Sequence, residues 1–289
     1  MKIPNLTYNQ RNLKSPEGFE LLYLPDLFSR SELPKDHNPF KHHRLGFYAI
    51  LIITDGEVNH VVDFGVKTLK KDNCLIISKG QIHAFDQDSK YEGFLVLFTE
   101  EFIQKYMAQS TIFLINSLYN YFIGQNVFYT PKHNALFINI LQEKINKPLI
   151  NSQANFFGAV LSVYLLELAE LKQEQKVSLS PNRNAEYFYN FRTLVEEKFA
   201  VTHDAKIFAD MLSISYKHLN DICKSAVNRT AKSFIDDFVI LEAKRLLVST
   251  NLSSKEIAYE LGFDEPTNFL KYFKRHTNYT PLEFRKILL

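Results

Sequence analysis

The last third of this chain is written twice. Phe208-Ala209-Asp210-Met211-Leu212 lines up with Ile257-Ala258-Tyr259-Glu260-Leu261, 49 residues later. After a one-residue shift, "HLNDICK" (His218–Lys224) lines up with "NFLKYFK" (Asn268–Lys274), and Asn228, Thr230 and Phe234 match Asn278, Thr280 and Phe284, 50 residues later. A period of this length makes each copy one structural unit, so this part of the chain must fold as a tandem pair.

The second copy carries its own folding instructions. Ser253-Ser254-Lys255-Glu256 is a capping box, in which Ser253 accepts from the Glu256 amide and Glu256 reaches back. It predicts a short helix over Ser254–Leu261, ended by Gly262 in the left-handed conformation. Phe263 turns back into the core, Asp264 is placed to cap the next helix, and Pro266 suits that helix's first turn. Phe269 and Phe273, at i and i+4, form the buried face. Thr267, Asn268, Lys271, Lys274 and Arg275 are left outside, and Thr280-Pro281-Leu282-Glu283 opens a further capped helix. Short helix, tight turn, second helix with a polar and basic face: this is the helix-turn-helix pattern, whose second helix fits the major groove of DNA. One copy alone is equally explained by a solvated helix pair. Two copies, joined by the apolar-faced "AKSFIDDFVILEAKRLLVS" (Ala231–Ser249), favour a pair of DNA-reading units.

Charge agrees only locally. The net charge of +2 says little about partners, but from Pro266 onward there are five cations and one acid.

The first part of the 289-residue chain reads differently. "FYAILIIT" (Phe47–Thr54), "EVNHVVDF", "NCLIIS" and "YEGFLVLFT" are short apolar runs separated by turn signals, the first at Asp55-Gly56. They predict an antiparallel β-sandwich or barrel over about 20–100. From about 100 to 172 the period becomes helical, in "EEFIQKYM", "NALFINILQEKI" and "FFGAVLSVYLLELAELK". The last and most apolar of these either packs on the barrel or leaves one face for a partner chain. "QEQKVSLSPNRN" is polar and contains Ser-Pro, which makes 173–185 the expected linker. The fold class is therefore α+β in two domains: residues 1–172 for binding and dimerisation, and an all-α domain over 186–289.

"SSKEIAYELGFDEPTNFLKYFKRHTNYTPLEFRK" resembles the signature of the AraC/XylS-type transcription regulators. Its carriers are Ile257, Ala258, Leu261, Gly262, Phe263, Phe269, Phe273, Lys274, Thr280, Pro281, Phe284 and Arg285. "LEAKRLL" (Leu241–Leu247) resembles the family's linking helix. The resemblance implies two helix-turn-helix units that enter successive major-groove segments on one face of double-stranded DNA, about 34 Å apart. By position it places Lys217, His218, Asn220 and Asp221 on DNA from the first unit, and Thr267, Asn268, Lys271 and Lys274 from the second. Two positions depart from the pattern. Asp221 stands where the family often has arginine. It would repel phosphate, although it can accept from a cytosine amino group. Asn278 replaces a usual glycine and tolerates the same left-handed backbone. The N-terminal runs "HHRLGFYAILIITDGEVNHVVDF" and "NCLIISKGQIHAF" are similar to the family's cupin-like sensory β-barrel. That similarity implies a small-molecule effector in the barrel, a homodimer, and RNA polymerase as a partner if the protein is an activator.

His42, Tyr48 and His83 are the candidate effector-binding residues. Phe47 and Tyr48 alternate faces, so one of them points inward. His83 is either a ligand hydrogen-bonder or a structural histidine. Enzymatic cupins hold a metal with histidines and a carboxylate. His42 and His43 point to opposite faces and no glutamate follows at the expected spacing, so no metal, no other cofactor and no catalytic residue is expected. Cys74 and Cys223 are too few for a disulfide framework or a thiolate zinc site, and both read as core. "MKIPNLTYNQRNLKS" has no apolar run and no stretch approaches 18 apolar residues, so the expectation is a cytoplasmic protein without a membrane partner. The competing readings are a constitutive DNA binder whose barrel only dimerises, and a cupin metalloenzyme fused to a DNA-binding tail.

Overall fold

The computed structural model describes residues 4–9, 14–29, 38–115, 118–119, 126–174 and 183–288. The chain divides into two compact units, Pro4–Val177 and Ser178–Leu289. Of the expected linker, residues 175–182 lie outside the described residues, and its two ends are helical: one helix runs to Glu174 and the next starts at Arg183.

In the first unit the strands are β1 (Asn5–Leu6), β2 (Phe19–Tyr23), β3 (His43–Leu45), β4 (Tyr48–Val62), β5 (Gly65–Lys70), β6 (Asn73–Ile77), β7 (Ile82–Ala84), β8 (Tyr91–Phe98) and β9 (Val127–Tyr129). The fifteen-residue β4 organises them. Its first half pairs with β8 and β6, and its second half with β5 and β7. The change of partners falls at a register shift between Ile53 and Asp55. The expected Asp55-Gly56 turn is thus a bulge inside one strand. Gly56 has φ +82, and a Cβ there would collide with the Lys90 carbonyl, so the strand can bend without breaking. The result is a curled half-barrel. Among the described residues its ladders are antiparallel apart from the parallel β1–β3 pair at the edge.

Side-chain alternation on β4 divides two cores. Ala49, Leu51 and Ile53 face the inside of the curl with Leu22, Phe47 and Leu97, while Ile50 and Ile52 face outward with Phe19, Val96 and Phe98. Of the helices α1 (Leu24–Ser29), α2 (Glu100–Tyr106), α3 (Gln109–Ile115), α4 (Pro131–Asn146) and α5 (Gln153–Glu174), the last contributes most to the outer core. Phe157, Leu161, Leu165 and Leu168 of α5 are fully buried there, each contributing about 1.5–3 kcal/mol. By length and composition Gln153–Lys172 could cross a membrane, against the expectation that no stretch approaches that character; its Phe157, Leu161, Leu165 and Leu168 pack in the outer core.

The second unit is helical: α6 (Arg183–Lys198), α7 (Ala205–Met211), α8 (Tyr216–Val227), α9 (Ala231–Ser249), α10 (Ser254–Glu260), α11 (Pro266–Thr277) and α12 (Pro281–Leu288). The α7–α8 and α10–α11 pairs are the two copies of the repeat. The capping box at Ser253 and Glu256 forms in both directions. Asn228 and Asn278 end α8 and α11 in the left-handed conformation. Gly262 has φ +80 and lies so close to the Ala200 carbonyl that a Cβ would collide with it. One detail differs: Glu265, not Asp264, is the N-cap of α11, without a side-chain cap bond. Pro266 at the first helical position lacks an N–H, which removes one donor that a cap would otherwise serve.

Candidate nucleic-acid interface and barrel cavity

The second recognition element is α11. Phe269 and Phe273 are fully buried against Ile257, Ala258 and Leu261 of the preceding helix and Ala243 and Leu247 of α9. That anchoring turns the other side of the helix outward. Thr267, Asn268, Lys271, Lys274 and Arg275 are all exposed, and they share one arc of the helical wheel. Arg275 lies over the Tyr272 ring, 5.6 Å from its centroid. Arg285 faces inward: its guanidinium donates to the Leu247 carbonyl at 2.7 Å and the Leu252 carbonyl at 2.6 Å, closing the C-terminal end of α9.

The first recognition element, α8, has a different surface. Lys217 and Asp221 are exposed. His218 is half-buried with its ring against Tyr187 at 5.9 Å, and its backbone amide is capped by Ser215 at 3.1 Å. Asn220 is also turned to internal use. Its Nδ2 donates to the Tyr216 carbonyl at 3.2 Å, and its Oδ1 accepts from the Ala231 amide at 3.0 Å. Two of the four residues expected to face DNA from this unit are therefore engaged within the fold. Lys224, which aligns with Lys274 in the repeat, is exposed as well.

The interior of the half-barrel holds a cavity of about 80 Å³. Leucines with Phe47 and Phe85 make just over half of its wall, with Tyr8, Glu20, His43 and His83 as the chemically distinctive members. Of the three effector candidates only His83 lines it. His42 is exposed, because its neighbour His43 takes the inward position on β3. Tyr48 lies on the opposite face, stacked on Phe98 at 5.8 Å and against Tyr119 at 4.8 Å, while Phe47 points inward. Strand alternation decides both outcomes.

His83 belongs to a buried histidine cluster. His60 Nε2 and His83 Nδ1 are 3.1 Å apart, the His43 and His83 rings are 4.2 Å apart, and His43 Nδ1 lies 2.9 Å from the Lys41 carbonyl. His60 is fully buried, and burial, with His43 beside it, pushes its pKa down to about 3. It is therefore neutral near pH 7 and can hydrogen-bond to His83 without charge. His60 was legible as an inward residue, because Val58, His60 and Val62 alternate onto one face of β4. Among the described residues no group of three His, Cys, Asp or Glu side chains could hold a metal ion. Cys74 and Cys223 are fully buried, and burial pushes their thiols up to about 11 and about 12, so both are poor nucleophiles.

Two family signatures match the chain. One is described as a helix-turn-helix domain and spans residues 208–287; the other is described as an AraC-like ligand binding domain and spans residues 28–119. The chain is 30% identical over 121 residues to an uncharacterized HTH-type transcriptional regulator in the cgkA 5' region of Pseudoalteromonas carrageenovora, covering 39% of this chain and 72% of that one. It is 19% identical over 277 residues to the HTH-type transcriptional activator RhaS of Salmonella schwarzengrund, covering 92% and 97%. Among solved structures, ToxT of Vibrio cholerae with a bound unsaturated fatty acid aligns at 15% identity with a TM-score of 0.45, over 94% of this chain and 96% of that one.

Proposed function

The chain belongs to the AraC-type family of helix-turn-helix transcription regulators, with a ligand-binding domain and a DNA-binding domain, and on that premise we propose that it activates transcription in response to a small molecule held in the half-barrel. Activation is favoured because the relatives RhaS and RhaR are named activators. DNA is read by Thr267, Asn268, Lys271, Lys274 and Arg275 from α11, and by Lys217, Asp221 and Lys224 from α8. The two units sit on one face of the duplex and enter successive major grooves about 34 Å apart. The observation that carries this reading is the outward arc of α11, basic and free of acids, behind which two phenylalanines are fully buried. Such a surface is costly as a solvent face, because like charges repel, but it suits a polyanion.

The effector occupies the cavity lined by His43 and His83, with the domain through about residue 172 serving ligand binding and dimerisation and the region from about 186 serving DNA. A homodimer forms through α4 and α5. The His133–Glu167 contact at 3.6 Å sets these helices side by side, and about one turn along Leu136 and Val163 are 60% and 63% exposed. Bound effector shifts the protein between two states for which it has different affinity. The protein works in the cytoplasm with RNA polymerase as its partner, and it carries no catalytic role.

The test is selection of bound duplexes from a random pool by the purified full chain at near-physiological salt. The expected outcome is a motif with two half-elements about one helical turn apart. Enrichment of no motif, with binding that vanishes as salt rises, would sink the sequence-specific reading.

A further inference from the structure

Both recognition helices are hydrogen-bonded to the beginning of α9. On the α8 side, Asn220 Oδ1 accepts from the backbone amide of Ala231 at 3.0 Å. On the α11 side, the Tyr272 hydroxyl donates to Asp236 Oδ1 at 2.7 Å, with the Asp236 carbonyl 3.3 Å away. Asp236 is only 8% exposed and is paired as well with Lys232. The Tyr272 ring is itself confined, with Phe263 at 5.2 Å and His276 at 4.6 Å. His203 stacks near-parallel to it at 6.4 Å and is fixed by the Leu261 carbonyl, 2.9 Å from Nε2. Ala231 and Asp236 are five residues apart, or about 7.5 Å along the helix.

These bonds do something the apolar core does not. Burial of Phe269 and Phe273, or of Leu219 and Ile222, holds each helix against α9 but is non-directional and tolerates some roll. A hydrogen bond constrains distance and angle. A buried carboxylate is also costly to deprive of a donor, so Asp236, even with Lys232 beside it, penalises a roll of α11 that withdraws the tyrosine. The two contacts are not part of the repeat. By the 50-residue offset the position of Tyr272 is held by Ile222 in the first copy, and that of Asn220 by Leu270 in the second. Each unit thus has its own polar attachment, and both converge on two turns of one helix.

We propose that Asn220 and Tyr272 are positioning residues that set the spacing between the two half-elements this protein accepts on DNA. They act through the roll of α8 and α11 about α9, not by touching bases. The proposal rests on the reading that both units engage one duplex.

The experiment uses the full chain and duplexes built from its selected site, with the half-elements at the parent separation and moved by one base pair either way. Dissociation constants are measured for the wild type, Tyr272→Phe, Asn220→Ala, Asp236→Asn and Lys271→Ala. One base pair turns the second half-element by roughly a tenth of a helical turn, and the wild type is expected to lose roughly tenfold in affinity, on the scale of a single mismatch. Tyr272→Phe keeps the ring and loses the bond. It should bind the parent duplex a few-fold more weakly, with the one-base-pair penalty reduced to about threefold or less, and Asn220→Ala should behave alike. Asp236→Asn keeps an acceptor for Tyr272 and should retain the wild-type profile. Lys271→Ala should weaken binding at every spacing and leave the penalty unchanged. A tenfold penalty that persists in both Tyr272→Phe and Asn220→Ala overturns the proposal while leaving the two-unit reading intact. A wild-type protein indifferent to spacing overturns that reading, and the proposal with it.

Discussion

The two helix-turn-helix units share a scaffold and differ in the face they offer. In both, the second helix ends on an asparagine in the left-handed conformation, at φ 54 for Asn228 and φ 64 for Asn278. In both, residues four apart are fully buried: Leu219 and Cys223 in α8, Phe269 and Phe273 in α11. The outward arcs diverge. α11 presents Lys271, Lys274 and Arg275 without an acid, whereas α8 places Asp221 between Lys217 and Lys224 and turns Asn220 and His218 to internal contacts. The caps and buried positions recur in both copies, whereas of the outward positions Lys224 and Lys274 recur and Asp221 and Lys271 do not. A scaffold position must be buried in both copies, whatever side chain fills it, while an outward position answers to whatever lies opposite it.

The largest test of that division lies in the cores. Phe273 and Cys223 occupy equivalent positions, and both are fully buried. Phe273→Ala removes a ring packed against Phe269 at 5.8 Å and Phe284 at 5.6 Å, which should cost about 3–5 kcal/mol. Cys223→Ala removes one sulfur and should cost about 1 kcal/mol. Urea unfolding followed by helical circular dichroism reads both. Equal losses would mean that the two copies are packed alike despite the difference in side-chain volume, and the first unit would have to draw its core from elsewhere.

Most of the second unit was legible in the sequence, and for physical reasons. Capping boxes, a left-handed glycine and an i, i+4 aromatic pair are local signals, decided by residues close together in the chain. Ser253, Glu256, Gly262, Phe269 and Phe273 all behave as that logic expects. What was not legible depended on distant partners. Asn220 looks like a base reader until its acceptor meets Ala231, and Asp55-Gly56 looks like a turn until Lys90 packs beside Gly56 and makes it a bulge. In the barrel, alternation settles that of Phe47 and Tyr48 only one points inward, but not which. That required the register of β4 against β6 and β8, which moved Tyr48 out of the cavity, while the pairing of β3 with β7 set His43 opposite His83 in the histidine cluster. β9 was missed because its three residues are too short to show a period.

Next in size are the outward faces. Lys271→Ala should weaken DNA binding several-fold and reduce the slope of log affinity against log salt by about one, the signature of one lost phosphate contact. Asp221→Ala removes the acid from α8 and should strengthen binding by about two- to fivefold on duplexes of any sequence, since it relieves repulsion. Fluorescence anisotropy across a salt series distinguishes them. An Asp221→Ala variant that loses affinity only on duplexes with a cytosine at one position would reverse the comparison. The first unit would then read a base through its acid, accepting from the cytosine amino group.

The smallest effect separates the units by acid. Reciprocal capping appears in the second unit. Glu256 serves the Ser253 amide at 2.7 Å, and Glu283 serves the Thr280 amide at 2.7 Å. The corresponding third helical positions of α7 and α9 hold Ile207 and Ser233, which offer no carboxylate. The backbone amides of Ser253 and Thr280 hold the Glu256 and Glu283 carboxyls below their ordinary value of 4.5. A carboxylate with a lowered folded pKa contributes stability that is present above about pH 4.5 and is lost as pH falls through the folded value. The α10 and α12 ends should therefore loosen first on acidification. In Glu256→Gln with Glu283→Gln, each glutamine keeps a hydrogen-bonding side chain at its position but cannot titrate. Its melting temperature should fall less between pH 6 and pH 3 than that of the wild type. Identical pH profiles would place the acid response in other carboxylates and leave the two units equally sensitive.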